Sequence, residues 1–120
     1  MTVIEEARPT ARKAHRCYCC YRTIQAGEAY TRTAHTYDGD FYVWKECAHC
    51  TAFINHIGWY YIEDDIGGYN RDSVNEGAEG YVLGSEKATE YDRLQLTHFR
   101  NHWRDSETDE LLPVPYQEKK

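Results

Sequence analysis

The sequence predicts a small α+β fold, and three observations carry that prediction. Two Cys-x-x-Cys pairs, Cys17 with Cys20 and Cys47 with Cys50, stand twenty-six residues apart. Between them, a Thr- and Tyr-rich stretch from Ala29 to Tyr37 and the run Phe41-Tyr42-Val43-Trp44 flank the turn-forming pair Asp38-Gly39. After Cys47 the pattern turns helical: Phe53, Ile54 and Ile57 fall on one face, and Gly58 supplies a stop.

Length and composition bound the rest. A chain of 120 residues accommodates one domain, or a small module with a second, weaker subdomain. Eleven Tyr, three Trp and three Phe supply much of its apolar content, and Tyr keeps its hydroxyl near water, so the predicted core is thin. A metal ion that ties distant segments together stabilises such a chain. No run of about 18 apolar residues occurs, and Met1 to Ala14 contains no apolar stretch of the kind a secretion signal carries. The expected compartment is the cytoplasm, where thiols stay reduced. Five cysteines, an odd number, fit a metal site plus one further thiol better than a disulfide framework.

Residues 1–14 read as a polar arm, with Pro9 opposing a helix at Arg8. Residues 15–62 hold the first cysteine pair on a tight turn, the hairpin, and a helix from Ala48 to Ile57. Cys47 and Cys50, three apart, share a face of that helix's first turn, where backbone N–H groups favour anionic sulfur. Knuckle, hairpin and helix in this order are the succession of a treble-clef zinc finger. Residues 63–120 read as an acidic connector to Gly80, with one short helix near Ser73 to Glu79. Tyr81-Val82-Leu83 follows as an extended segment. A helix from Ser85 to Arg104 comes next, with Ser85 as its N-cap and Ala88, Leu96, Phe99 and Trp103 on one side. The segment around Pro113 and Pro115 must be extended.

The chemistry centres on Cys17, Cys20, Cys47 and Cys50. Two pairs, each with two intervening residues, present four sulfurs to a single zinc ion, which takes thiolates in tetrahedral geometry. Cys19 stands only two positions from Cys17, a poor spacing for two ligands of one metal, and reads as a thiol packed against the knuckle. A four-thiolate zinc has no open position, so the predicted role is structural and the chain is expected not to be an enzyme. His15, His35 and His49 lie near the site in sequence and keep a catalytic variant in view. His98 and His102, four apart on the predicted helix, have a metal-gripping spacing but no evident third ligand. Treble-clef nucleases place a His near the end of the first strand, then an Asn and a second His. His35 and Asn55-His56 are the residues here that approach that pattern.

Charge is unevenly distributed. The net formal charge is −6, and four thiolates around a divalent ion take it to about −8. From Arg8 to Arg32 there are six bases and one acid, Glu28, whereas fourteen acids and seven bases follow Cys50. Arg8, Arg12, Lys13, Arg16 and Arg22 are therefore the candidate nucleic-acid contacts on a chain that lacks a global basic footprint.

The run Ala11-Arg12-Lys13-Ala14-His15-Arg16-Cys17-x-x-Cys20, then Ile24-x-x-Gly27-Glu28-x-Tyr30, Asp38-Gly39-x-Phe41 and Cys47-x-x-Cys50, resembles small zinc-finger proteins of actinobacterial phages and prophages. The resemblance covers about the first half of the chain. It implies a four-cysteine zinc module working in a bacterial host's cytoplasm. Two departures are Tyr21, where many knuckles carry Gly, and the additional Cys19. The leading functional expectation is a zinc-binding interaction module that binds a host or phage protein through its aromatic and acidic second half. A nucleic-acid-binding finger is the alternative, with weak, salt-sensitive binding expected, and a degenerate nuclease is the third reading.

Overall fold

The computed structural model describes residues 2–37, 39–58 and 70–116. Its larger sheet grows from the Thr- and Tyr-rich hairpin. β4 (Tyr30–Tyr37) and β5 (Asp40–Cys47) pair antiparallel in unbroken register from Tyr37 opposite Asp40 to Tyr30 opposite Cys47. Gly39, at φ 85°, takes the left-handed conformation that a two-residue hairpin connection needs; Asp38 lies outside the described residues. β1 (Thr2–Ala7) adds to the other side of β4, giving the order β1-β4-β5 with a bulge between Val3 and Glu5. The segment expected to be a polar arm therefore carries a strand. Three β-branched residues in succession, Thr2-Val3-Ile4, suit a sheet, and the open edge of β4 supplies the partner.

A second, two-stranded sheet joins β2 (His15–Arg16) to β3 (Thr23–Ile24) and frames the first cysteine pair. α1 (Ala48–Ile57) follows β5 directly and buries Cys50, Phe53, Ile54 and Ile57; the Gly58 N–H closes it on the Ile54 carbonyl.

The second half is more helical than its composition predicts. The stretch expected to be an irregular connector with one short helix contains α2 (Arg71–Gly84), fourteen residues opened by a reciprocal Asn70–Ser73 capping box. Tyr81-Val82-Leu83, expected to be extended, is part of it. Three glycines in this helix disfavour it by about 1 kcal/mol each. Val74, Tyr81 and Val82 recur at helical spacing and are buried, each contributing roughly 2 kcal/mol. Burial outweighs propensity. Residues 63–69 of the expected connector, and 59–62 of the expected module, lie outside the described residues.

α3 (Glu90–Arg100) starts later than Ser85 and ends before Arg104. Thr89 and Asp92 cap each other's backbone N–H groups, whereas the Ser85 N–H terminates α2 on the Tyr81 carbonyl. A Thr-x-x-Asp box satisfies two N-terminal donors where Ser85 alone satisfies one. One continuous core links both halves of the chain. Phe53 of α1 stacks on Phe99 of α3 with ring centroids 5.6 Å apart and meets Trp103 edge-to-face at 5.5 Å. No helix among the described residues is long and apolar enough to cross a membrane.

Candidate metal centre

The first cysteine pair is shaped by backbone hydrogen bonds across the small sheet. The Cys17 N–H donates to the Arg22 carbonyl at 2.9 Å, and the Tyr21 N–H donates back to the Cys17 carbonyl at 2.9 Å. Closing this turn puts Tyr21 at φ 67°, a left-handed conformation that costs a non-glycine residue about 1 kcal/mol. Its ring faces the Arg71 guanidinium, 5.5 Å from the ring centroid, a contact that offsets part of that cost.

The second pair sits where β5 becomes α1. Cys47 is both the last residue of β5 and the N-cap of α1, and Cys50 lies in the helix's first turn. The Tyr18 N–H donates to the Lys45 carbonyl at 2.8 Å, fastening the knuckle to β5 and bringing the pairs together. The sulfurs of Cys17, Cys20, Cys47 and Cys50 all lie within 4.8 Å of one another. Cys17 Sγ is 3.8 Å from Cys50 Sγ, and Cys20 Sγ is 3.9 Å from Cys47 Sγ. Four sulfurs at tetrahedral corners, about 2.3 Å from one metal, are separated by about 3.8 Å. These four buried cysteines are positioned to bind a metal ion, and no other such group occurs among the described residues.

All four side chains are 0% exposed, so their charge must be met internally. Hydrogen bonding with the sulfurs of Cys20, Cys47 and Cys50 holds the Cys17 pKa below the ordinary thiol value. Burial, reinforced by the Cys17 sulfur, pushes Cys47 and Cys50 well above it. A cation at the centre would favour ionisation of the buried sulfurs, against the cost of burying their charge. Three N–H donors already face the sulfurs. The backbone N–H groups of Cys20 and Cys47 approach Cys17 Sγ at 3.4 and 3.3 Å, and Trp103 Nε1–H approaches Cys50 Sγ at 3.3 Å.

The surroundings of the centre come from distant sequence. His102 Nδ1–H donates to the Cys20 carbonyl at 2.7 Å. His49 Nε2–H donates to the Leu112 carbonyl at 2.6 Å, while its Nδ1 accepts from Arg22 Nη2 at 3.3 Å. Because a carbonyl only accepts and a guanidinium only donates, these partners fix the tautomer with the proton on Nε2. Arg22 in turn forms a two-pronged pair with Glu28, at 2.6 and 3.1 Å. Burial raises the Glu28 carboxyl's pKa, but Arg22 and the Gln25 N–H outweigh it and hold it below the usual range.

This placement corrects the reading of Arg22 as an exposed nucleic-acid contact. Its side chain is 1% exposed, because the guanidinium is committed to Glu28, His49 and the Thr23 carbonyl. Arg8, Arg12, Lys13 and Arg16 are exposed. Cys19 is fully buried and lies outside the four-sulfur group. Of the remaining histidines, His15 Nδ1 accepts from Lys45 Nζ at 3.3 Å, and His35 Nε2 meets Thr33 Oγ1 at 2.6 Å. His56 Nε2–H pairs with Asp92 at 3.1 Å. The expected His98–His102 pair does not share a helix: α3 ends at Arg100, and His102 sits at φ 57° facing the knuckle. Sequence reasoning put Trp103 on an apolar helix face and missed its contact with sulfur; an indole followed by an extended Pro-containing segment is the only local signal. Compared with protein families, curated proteins and solved structures, the chain matches none.

Proposed function

We propose that this chain is a non-enzymatic interaction module folded around one structural zinc ion held by Cys17, Cys20, Cys47 and Cys50. The observation that carries the reading is the buried sulfur group with separations of 3.8 and 3.9 Å. Four thiolates in a closed tetrahedral set favour zinc and leave no position for water or substrate. When bound, the ion offsets half the charge of the four buried thiolates and ties the knuckle to the start of α1. The succession of knuckle, hairpin and helix supports a treble-clef-like arrangement. A protein partner fits the second half, where Leu83 on the acidic α2 and Tyr91 and Leu94 on α3 are exposed apolar side chains. The phage-related setting rests on the sequence resemblance.

The test is zinc stoichiometry in the wild-type chain and in each of the five Cys→Ser variants. One zinc per chain is expected, retained in Cys19→Ser and lost or severely weakened in the other four. Loss of zinc in Cys19→Ser with retention in Cys17→Ser or Cys20→Ser would refute the ligand set.

A further inference from the structure

We infer that the outer face of the knuckle binds single-stranded nucleic acid, using Tyr18 as a stacking platform and Arg16, Lys45, Arg12 and Lys13 as phosphate contacts. The inference rests on the metal-organised knuckle proposed above and concerns a different surface from the exposed apolar side chains of α2 and α3.

Three observations carry it. First, Tyr18 projects from the turn between two ligands: it is 39% exposed although Cys17, Cys19 and Cys20 around it are fully buried. Its ring is braced edge-to-face against Trp44, centroids 5.5 Å apart, and its backbone N–H is fastened to Lys45. An aromatic ring braced by one neighbour on an anchored backbone loses little entropy when a base stacks on it.

Second, the bases beside it are free to meet phosphate. Lys45 Nζ and His15 Nδ1 lie 3.3 Å apart, and Arg16 reaches the Tyr21 carbonyl at 3.4 Å. Among the described residues no carboxylate pairs with Arg12, Lys13, Arg16 or Lys45. Two acids of the neighbouring segments are already engaged: Glu28 by Arg22, and Glu46, itself buried, by Thr51 and Trp44. Among the described residues this face thus gathers bases that no carboxylate pairs with, on a chain that is acidic as a whole.

Third, range decides whether the remaining acids cancel that field. The molecule extends 42 × 33 × 29 Å, whereas exposed charges are screened over about 8 Å at physiological salt. On the Tyr21 side of the knuckle, Asp109 lines a hollow of about 360 Å³ together with Tyr21 and Arg104. A lone exposed ring reads unstacked bases, which singles out single strands over duplex.

The test titrates the zinc-loaded chain with labelled oligonucleotides of about 12 nucleotides, as single-stranded DNA, single-stranded RNA and duplex DNA, at roughly 50 and 200 mM salt. A single strand should bind more tightly than duplex, with a log–log salt slope of about −3 for about four phosphate contacts. Binding of only DNA or only RNA supports the proposal and names the polymer. Tyr18→Ala should weaken binding on the order of tenfold with little change in slope, and Tyr18→Trp should restore it. Arg16→Ala combined with Lys45→Ala, at an exposed and a half-buried position, should flatten the slope by about 1.4. Zinc content and circular dichroism accompany every variant. Loss of zinc binding in the wild type would defeat the metal-site reading. A zinc-loaded chain that binds no strand at the lower salt, prefers duplex, or is indifferent to both sets of variants would overturn this inference. The face would then be left to a protein partner.

Discussion

Trp103 Nε1–H points at Cys50 Sγ from 3.3 Å, across fifty-three positions of sequence. The indole is fully buried, packs edge-to-face on Phe53 and Phe99, and follows a left-handed turn in which His102 and Trp103 have φ 57° and 59°. That turn breaks the helical path of α3 and carries the side chain over the sulfurs. A donor to a ligating sulfur stabilises its thiolate, as outer hydrogen bonds to metal ligands do generally.

Trp103→Phe tests this bond, because it keeps an aromatic ring and removes the N–H. Zinc affinity, read by competition with a chromophoric chelator, should fall about tenfold. Stability should fall by roughly 1–3 kcal/mol from the lost hydrogen bond and the smaller ring. Unchanged affinity would mean that the indole serves packing alone.

Removing the metal should unfold more than the knuckle. The four cysteines belong to the same core as Phe53, Phe99 and Trp103, so four unmetallated thiols leave that core without its cross-link. Chelation should abolish the near-ultraviolet aromatic signal and the cooperative thermal transition together. A melt that persists after verified metal removal would show that apolar packing suffices.

Glu28→Gln leaves the Arg22 guanidinium buried without its counter-charge. The expected cost is roughly 3 kcal/mol in chemical denaturation, since stranding one member of a buried pair is far worse than lacking both. Arg22→Met with Glu28→Gln should recover part of the loss. A single variant within about 0.5 kcal/mol of wild type would assign the pair no structural weight.

Asp92 gives an acid-sensitive contribution to stability. Burial raises its pKa, but the Tyr116 hydroxyl at 2.7 Å, the Thr89 N–H at 2.9 Å and His56 outweigh that and hold the carboxyl below its ordinary value. A depressed folded-state pKa means stability that is present above the unfolded value, about 3.9, and lost as pH falls through the folded one. Asp92→Asn should cost about 2 kcal/mol near neutrality, and the gap to wild type should close as pH drops below about 4. Comparing urea midpoints of the two chains cancels acid-driven metal loss, which both share. A gap that stays constant with pH would remove the carboxylate's charge from the account.

What could be read from sequence was local. The two-residue gap within each of the pairs Cys17/Cys20 and Cys47/Cys50, the turn at Gly39 and the Phe53–Ile54–Ile57 stripe each span only a few residues, and short-range patterns report them directly. β1 was hidden because its partner lies some thirty residues away, and a charged, proline-bounded segment looks solvated until that edge is supplied. α2 was hidden by its glycines, which lower local propensity but do not remove the Val74–Tyr81–Val82 spacing. Arg22 looked like one base in a basic run, because nothing short-range shows that Glu28 and His49 enclose its guanidinium. The Trp103 and His102 contacts join residues more than fifty positions apart, and a single chain of letters carries no record of such pairings.

The cover over the metal centre also sets an order of events during synthesis. All four cysteines leave the ribosome before Trp103 and Leu112, the residues that meet Cys50 and His49 from the other end of the chain. The knuckle and the first turn of α1 are thus available to capture an ion while the site is still open on one side, and the later residues close over it. Exchange of that ion in the finished protein is then limited by how often the C-terminal segment lifts, so metal lifetime and local opening of that segment should be one and the same rate.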